Sequence, residues 1–276
     1  MIDFKAIISQ TDRYNFHSHT QYCDGRAAMA DFAAAAAAAG FRHWGFTPHS
    51  PLIVPSPCNM STDDVPAYLE EVGRLRCLYP DGPCFYASME IDFLSREWGP
   101  AVSYFQDLPL DYRIGSVHFV KAPSGDYVDI DGSYETFARK LHTYFRDDLR
   151  HVVNLFYEAT LEMIDLGGFD IIGHYDKIGN NADFVRKGIE QEGWYRDLAE
   201  DATEALIKSG VAVEINTKAY DKCSRFFPEI SHWPRLVDAG VTLLVNSDTH
   251  YPELHSAGRS EAFELLGKIK TERRAQ

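Results

Sequence analysis

The chain has 276 residues, 45% of them hydrophobic and 25% charged, which is the balance of an ordinary globular protein able to bury its own core. Its formal net charge of −14 excludes broad nucleic-acid binding, which needs a basic face, but leaves an anionic small molecule open because bound cations add charge that a residue count omits. Five cysteines (Cys23, Cys58, Cys77, Cys84 and Cys223) without a CxxC pair exclude a disulfide framework and point to a reducing, cytoplasmic setting. Met1 to Thr20 lacks the basic-then-apolar order of a signal peptide, and no apolar run approaches the ~18 residues of a membrane span, so neither is expected.

In chain order, a strand is predicted over Tyr14–His17, then a helix over 27–39 whose alanine run Ala33–Ala39 is strongly helix-forming and ends at Gly40. A strand at Trp44–Thr47 is followed by the loop Pro51–Thr62, with three prolines, and a helix over 63–79 with Asp63 as its N-cap. Strands follow at Cys84–Ile91 and Tyr112–Phe119, then a polar loop Lys121–Gly132 and a long helix over 133–165 capped by Ser133 and closed by Gly167. The strand Phe169–Gly173, the loop Asn180–Gly193, the helix 194–209 and Gly210 lead to the strand Val211–Asn216. The loop Thr217–Pro228, the helix 229–239, Gly240, the strand Val241–Asn246 and the helix 258–272 complete the chain. Alternating strands and helices spell an α/β fold with a mostly parallel sheet, expected as one domain over 1–276, a distorted TIM-type (β/α)7 barrel. The four long loops all follow strands, so they belong to the face where such barrels place their chemistry.

Ligand-type residues fall at the same end of every predicted strand. His17 and His19 end the first, His49 follows the second, Glu90 ends the third, and His118 and His174 end the fourth and fifth. Asn216 ends the sixth, and Asp248 and His250 follow the seventh. In His17-Ser-His19, side chains alternate along an extended segment, so both imidazoles point one way and can reach one ion. Imidazole and carboxylate suit Zn, Mn or Fe. Six imidazoles and two carboxylates converging on one mouth would be costly to bury without a cation. His43, His142, His151, His232 and His255 lie in helices or loops and are read as surface or packing residues.

The succession HxH, CDG, TPH, MEID, GSVHF, GHYD, EIN and SDTH, running from His17 to His250, resembles the polymerase-and-histidinol-phosphatase (PHP) family. Gly115-Ser-Val-His-Phe, Gly173-His-Tyr-Asp and Glu214-Ile-Asn-Thr with the later Phe227-Pro are most similar to its stand-alone histidinol-phosphate phosphatases. The resemblance implies two or three divalent ions. His17, His19, Glu90 and Asp248 would hold the first, with Glu90 bridging to a second also held by His118 and His174. Asp24, His49 and His250 would surround a third. Many relatives carry a histidine eight residues after the first HxH histidine; Gly25 stands there in this chain, and Asp24 is the implied substitute.

The chemistry expected is hydrolysis of a small phosphate monoester, histidinol phosphate by resemblance, by a hydroxide bridging the first two metals, with no phosphoenzyme. Glu90, Asp248 and His250 are the catalytic candidates, together with Asp176, which could donate a proton to the leaving oxygen or simply cap a helix. Arg225, Lys218, Lys121 and Arg26 are the phosphate-binding candidates, and Glu214 and Asn216 are expected behind the ligands or in the pocket. An acidic and aromatic wall would suit an amine and an imidazole, with Tyr22, Trp98, Asp126, Tyr127 and Phe227 in or near suitable loops. Two rival readings are a PHP phosphatase of nucleotides and a catalytically silent metal-binding domain. Neither a nucleic-acid nor a membrane partner is expected.

Overall fold

A computed structural model of the chain describes residues 2–275. A first helix absent from the sequence reading, α1 (Phe4–Gln10), is capped by Asp3, whose carboxylate accepts from the Ala6 backbone N–H at 2.8 Å. Next come β1 (Tyr14–Asn15), α2 (Met29–Ala38), β2 (His43–Phe46), α3 (Val65–Leu78) and β3 (Cys84–Ala87). The three strands are parallel, in the order β1-β2-β3. The small side chains of α2 allow the close approach expected of them: Phe32, Ala33 and Ala36 are buried beside Trp44 and Phe46 of β2.

The chain continues through β4 (Glu90–Asp92), α4 (Ser103–Gln106), β5 (Ile114–Ser116), β6 (Phe119–Lys121), β7 (Tyr127–Asp129), α5 (Tyr134–Phe145) and α6 (Leu149–Leu166). It ends with β8 (Ile171–Ile172), α7 (Ile178–Val185), α8 (Gly193–Ser209), β9 (Ala212–Asn216), α9 (Tyr220–Cys223), α10 (Trp233–Asp238), β10 (Leu243–Asn246) and α11 (Arg259–Ala275). A second parallel sheet has the order β10-β9-β8-β5-β4. The parallel α/β character stands as read from the sequence. The ladder is not one closed ring: single parallel bridges, Ser18 with Thr249 and His49 with Glu90, are what link the two sheets.

Besides α1, the loops read over 180–193 and 217–228 hold the short helices α7 and α9, and other elements differ from expectation as well. The strand read over 84–91 is two strands in different sheets. At the break the Tyr68 hydroxyl shares its proton between the carbonyls of Phe46 and Ser88 and accepts from the Ser88 N–H, beside a backbone bond that still runs from the Ser88 N–H to the Phe46 carbonyl. The long helix read over 133–165 breaks at Arg146 and Asp147, both left-handed at φ 54° and 63°, and Asp148 caps α6 by accepting from the His151 N–H. The loop after β5 contains an antiparallel hairpin, β6 with β7. Ser133 caps α5 as read, whereas Asp63 lies in a short 3-10 turn ahead of α3 rather than capping it. Gly40, Gly167, Gly210 and Gly240 all take positive φ just past helices, as their placement suggested. No helix among the described residues is long and apolar enough to cross a membrane.

Candidate metal centre

Parallel pairing sends the segments after β1, β2, β5, β8 and β10 to one end of the sheets, and the ligand-type side chains meet there. The imidazoles of His17 and His19 face each other with their Nε2 atoms 3.3 Å apart. Asp248 Oδ1 lies 2.9 Å from His19 Nε2 and 3.7 Å from His17 Nε2. A second imidazole pair, His118 and His174, is also 3.3 Å apart at Nε2. Glu90 stands between the pairs and divides its oxygens. Oε2 lies 3.3 Å from His17 Nε2, 3.5 Å from His19 Nε2 and 3.1 Å from His49 Nδ1. Oε1 lies 2.8 Å from His174 Nε2 and 3.5 Å from His118 Nε2. Asp24 Oδ1 is 3.2 Å from His250 Nε2, 3.7 Å from His19 Nδ1 and 3.8 Å from His49 Nε2.

These atoms form overlapping groups able to hold an ion: His17, His19 and Asp248; Glu90, His118 and His174; and His19, Asp24, His49 and His250. A further group joins His49, Asp92 and His118. The first two are buried throughout and the third opens toward solvent. The donor set fits borderline cations, and the hydrogen bonds test the fit. His17 donates from Nδ1 to Glu214 at 2.7 Å and His118 from Nδ1 to Asp92 at 2.6 Å, which leaves their Nε2 atoms turned inward and free to serve an ion. The Nε2 atoms of each pair, 3.3 Å apart, are within reach of one shared positive charge, a proton or a cation. Asp24 Oδ1, His49 Nδ1 and Glu90 Oε2 are buried without a hydrogen-bond partner, a costly state unless something else satisfies them.

The electrostatics agree. Burial disfavours charge on His17, yet Glu214, Asp248 and Glu90 outweigh it and hold its pKa well above the usual imidazole value. Burial likewise opposes a charged His118, but Asp92 and Glu90 raise it to about 9. Burial, reinforced by His250 and His49, keeps His19 well below its ordinary value and therefore neutral. Burial opposes the ionised forms of Glu90 and Asp248, but neighbouring cations reverse this and hold both well below the usual carboxylate range: His17, His118 and His49 for Glu90, Lys218 and His17 for Asp248. Without ions, the site stores protons where cations would sit.

The backbone is bent to make this arrangement. His174 and Asp248 adopt positive φ, 21° and 46°, a strain that non-glycine residues accept mainly at functional sites. At Gly25 a Cβ would lie 2.3 Å from the Thr20 nitrogen, so no side chain fits there and the preceding Asp24 supplies the ligand-type oxygen. At Gly173 a Cβ would sit 2.4 Å from Ser116 Oγ, the hydroxyl that donates to Glu90 Oε1 at 2.7 Å.

A cavity of about 600 Å³ opens over the cluster, with Asp24, His49, His118 and His250 in its floor and Lys177, Lys218 and Lys222 in its walls. Of the phosphate-binding candidates, Lys218 alone lines it, with Nζ 3.4 Å from Asp248 Oδ1 and 3.3 Å from His250 Nε2. Arg225 is a correction: Glu190 holds its guanidinium through two 2.7 Å bonds, and it lines a neighbouring cavity instead. Lys121 lies over the Tyr127 ring, and Arg26 is exposed and contributes its backbone N–H to His250 O. Neither lines the cavity. Asp176 is corrected as a helix cap, and it lies away from the cavity. It is buried outside the cavity wall, its carboxylate accepts from the Glu229 N–H at 2.7 Å, and α7 begins without a side-chain cap. Of the aromatic and acidic wall candidates Phe227 lines the cavity; Tyr22, Trp98, Asp126 and Tyr127 do not.

The sequence reading missed Asp92, Asp129, Asp131 and Lys177. Asp92 had a signal, since it follows Glu90 by two positions on a strand and so shares its face. Lys177 and Asp131 meet at 2.6 Å from separate loops and had none. Four of the five histidines set aside find ordinary hydrogen-bond partners, His43 with Tyr86, His142 with Asp147, His232 with Thr203 and His255 with Ser256, and His151 lies beside the Phe145 ring.

The chain resembles known proteins in fold. A candidate histidinol phosphatase from Listeria monocytogenes superposes with a TM-score of 0.77 at 17% identity, over 90% of this chain and 99% of that one. The histidinol phosphate phosphatase of Lactococcus lactis, solved with zinc, L-histidinol and phosphate, gives 0.71 at 20% identity over 93% of each chain. At such identities the likeness is one of fold. No curated protein sequence matches the chain. The PHP domain pattern matches residues 15–218, most of the chain and all but the last two ligand-type residues, and the chain belongs to the PHP domain family.

Proposed function

We propose that the chain is a metal-dependent phosphomonoesterase that converts L-histidinol phosphate and water to L-histidinol and phosphate. The observation that carries this reading is Glu90, whose two oxygens are shared between two inward-facing imidazole pairs beneath an open cavity. Family membership supports it, as does the likeness of fold to a Lactococcus lactis enzyme solved with zinc, L-histidinol and phosphate.

His17, His19, Asp248 and Glu90 would hold one ion, Glu90, His118 and His174 a second, and Asp24, His49 and His250 a third, with zinc, manganese or iron all compatible with the donors. Bound there, such ions lower the pKa of water toward ~7 and neutralise phosphate oxygens. Lys218 and Lys177 at the wall offer further positive charge to the phosphate. Asp129, Asp131, Tyr134 and Phe227 give the same cavity acidic and aromatic surface suited to an amine and an imidazole. We read the two sheets, linked by the single bridges Ser18–Thr249 and His49–Glu90, as a distorted barrel whose strand ends carry the site. A cytoplasmic location fits five free cysteines.

Phosphate release from L-histidinol phosphate, mononucleotides and p-nitrophenyl phosphate, with Mn²⁺ or Zn²⁺ and with chelator, tests the proposal. A chelator-sensitive preference for histidinol phosphate is expected. Preference for nucleotides would overturn the substrate, and no turnover would favour a silent metal-binding domain.

A further inference from the structure

Behind the ligands lies one carboxylate that touches both buried ligand groups. Glu214, on β9, is fully buried, and four nitrogens point at it. Oε1 accepts from His17 Nδ1 at 2.7 Å and from Asn246 Nδ2 at 3.1 Å. Oε2 accepts from the His174 backbone N–H at 3.2 Å and from Asn216 Nδ2 at 3.0 Å. The same Asn216 Nδ2 also reaches Asp248 Oδ2 at 3.0 Å.

None of the four can turn round to become an acceptor. The His174 contact is a backbone amide. Asn216 Oδ1 is occupied by the Lys218 N–H at 3.0 Å, and Asn246 Oδ1 by the Phe16 N–H at 2.9 Å, so each side-chain amide has its NH₂ fixed toward Glu214. His17 must donate from Nδ1 if its Nε2 is to serve an ion. Four fixed donors match the four lone-pair directions of a carboxylate and of no other natural side chain of this length.

The partners belong to different ion groups. His17 and Asp248 are in one and His174 is in the other. His174 and Asp248 are the two ligand residues held at positive φ, and each is reached from Glu214, the first directly and the second through Asn216. We propose that Glu214 is a positioning residue that sets the loading of both buried metal sites together, by fixing His17 and Asp248 of one and the strained backbone of His174 in the other. This rests on the metal-centre reading and not on the choice of substrate.

Asp92 provides the contrast. It accepts from His118 Nδ1 at 2.6 Å and from Asn59 Nδ2 at 2.9 Å, so it holds a ligand of one buried group.

The test is competition between the protein and a chromophoric chelator for Zn²⁺, with circular dichroism of the metal-free protein alongside. Glu214→Gln keeps the shape but turns an NH₂ onto two of the four donors. It should weaken the two tightest ions together, each by about 10–100-fold, the scale expected for a partner behind the ligands. Asp92→Asn should weaken one of them, and a folded Glu214→Gln protein that binds both ions as wild type does, or loses one alone, overturns the proposal. If Glu214→Gln fails to fold, Asn216→Ser decides. It removes the relay to Asp248 and should weaken one ion by about tenfold; unchanged binding there overturns the proposal equally. A wild-type protein that binds both ions yet ignores histidinol phosphate would refute the substrate and leave this inference standing.

Discussion

Two buried charged regions of the molecule are satisfied in opposite ways. Arg259, at the start of α11, is buried yet complete: it donates to the carbonyls of Val245, Tyr14 and Asp12 and lies against the rings of Tyr14, Phe41 and Phe263. The cluster around Glu90 is buried at its centre but incomplete, with Glu90 Oε2, His49 Nδ1 and Asp24 Oδ1 lacking a hydrogen-bond partner among the described residues. The chain answers the first charge from its own backbone and leaves the second to be answered from outside. Buried charge that a protein satisfies by itself is architecture, whereas buried charge left open is a site.

Substitutions should separate the two. Removing the shared carboxylate with Glu90→Ala should reduce phosphate release to the uncatalysed background and remove bound metal, measured together by phosphate assay and elemental analysis; chelation of the wild type should do the same. Full activity in that variant would end the bridging role. Arg259→Met should instead cost about 3 kcal/mol of stability, seen in denaturant unfolding, because three carbonyls lose their donor. Its metal content per folded chain should not change.

The pH dependence sharpens the contrast further. Burial alone would lower His118, but Asp92 and Glu90 raise it to about 9 in the metal-free chain. A raised folded-state pKa stabilises the metal-free fold fully below the unfolded imidazole value and loses that stabilisation as pH rises through about 9. Metal must displace the same proton, so affinity should rise about tenfold per pH unit for each proton displaced until that range is passed. Calorimetric titration with Zn²⁺ in buffers of different ionisation enthalpy should show proton release at neutral pH. Binding without release would contradict the protonated site.

Smaller effects are expected at the wall. Lys218→Ala should raise KM about tenfold, the loss of one charge-assisted hydrogen bond to phosphate, with metal content kept. His142→Ala, on an exposed helix face, should change stability by no more than ~0.5 kcal/mol and leave activity alone.

What the sequence made legible follows the same division. Ligand-type residues at strand ends were readable because strand alternation and strand–helix order fix where such side chains go: His17 and His19 point inward together, and Glu90 meets both imidazole pairs. Residues assigned from loops were not. Arg225 sits in a loop after a strand, as a phosphate ligand would, but the choice of Glu190 as its partner depends on how α7 and the turn after it fold back. Lys177, placed at the wall by the turn after His174, gave no pattern to read. The split of the third strand was hidden for a similar reason, since the Tyr68 hydroxyl bound at the break comes from α3, about twenty residues upstream, and local periodicity cannot register it.

The central claim is that the two inward-facing imidazole pairs and Glu90 hold ions. An anomalous-difference map from crystals grown with Zn²⁺ tests it most directly. The account predicts one peak among His17, His19, Glu90 and Asp248 and a second among Glu90, His118 and His174, on either side of the shared carboxylate. A map with no peak at Glu90, or with zinc bound only elsewhere on the chain, would contradict it.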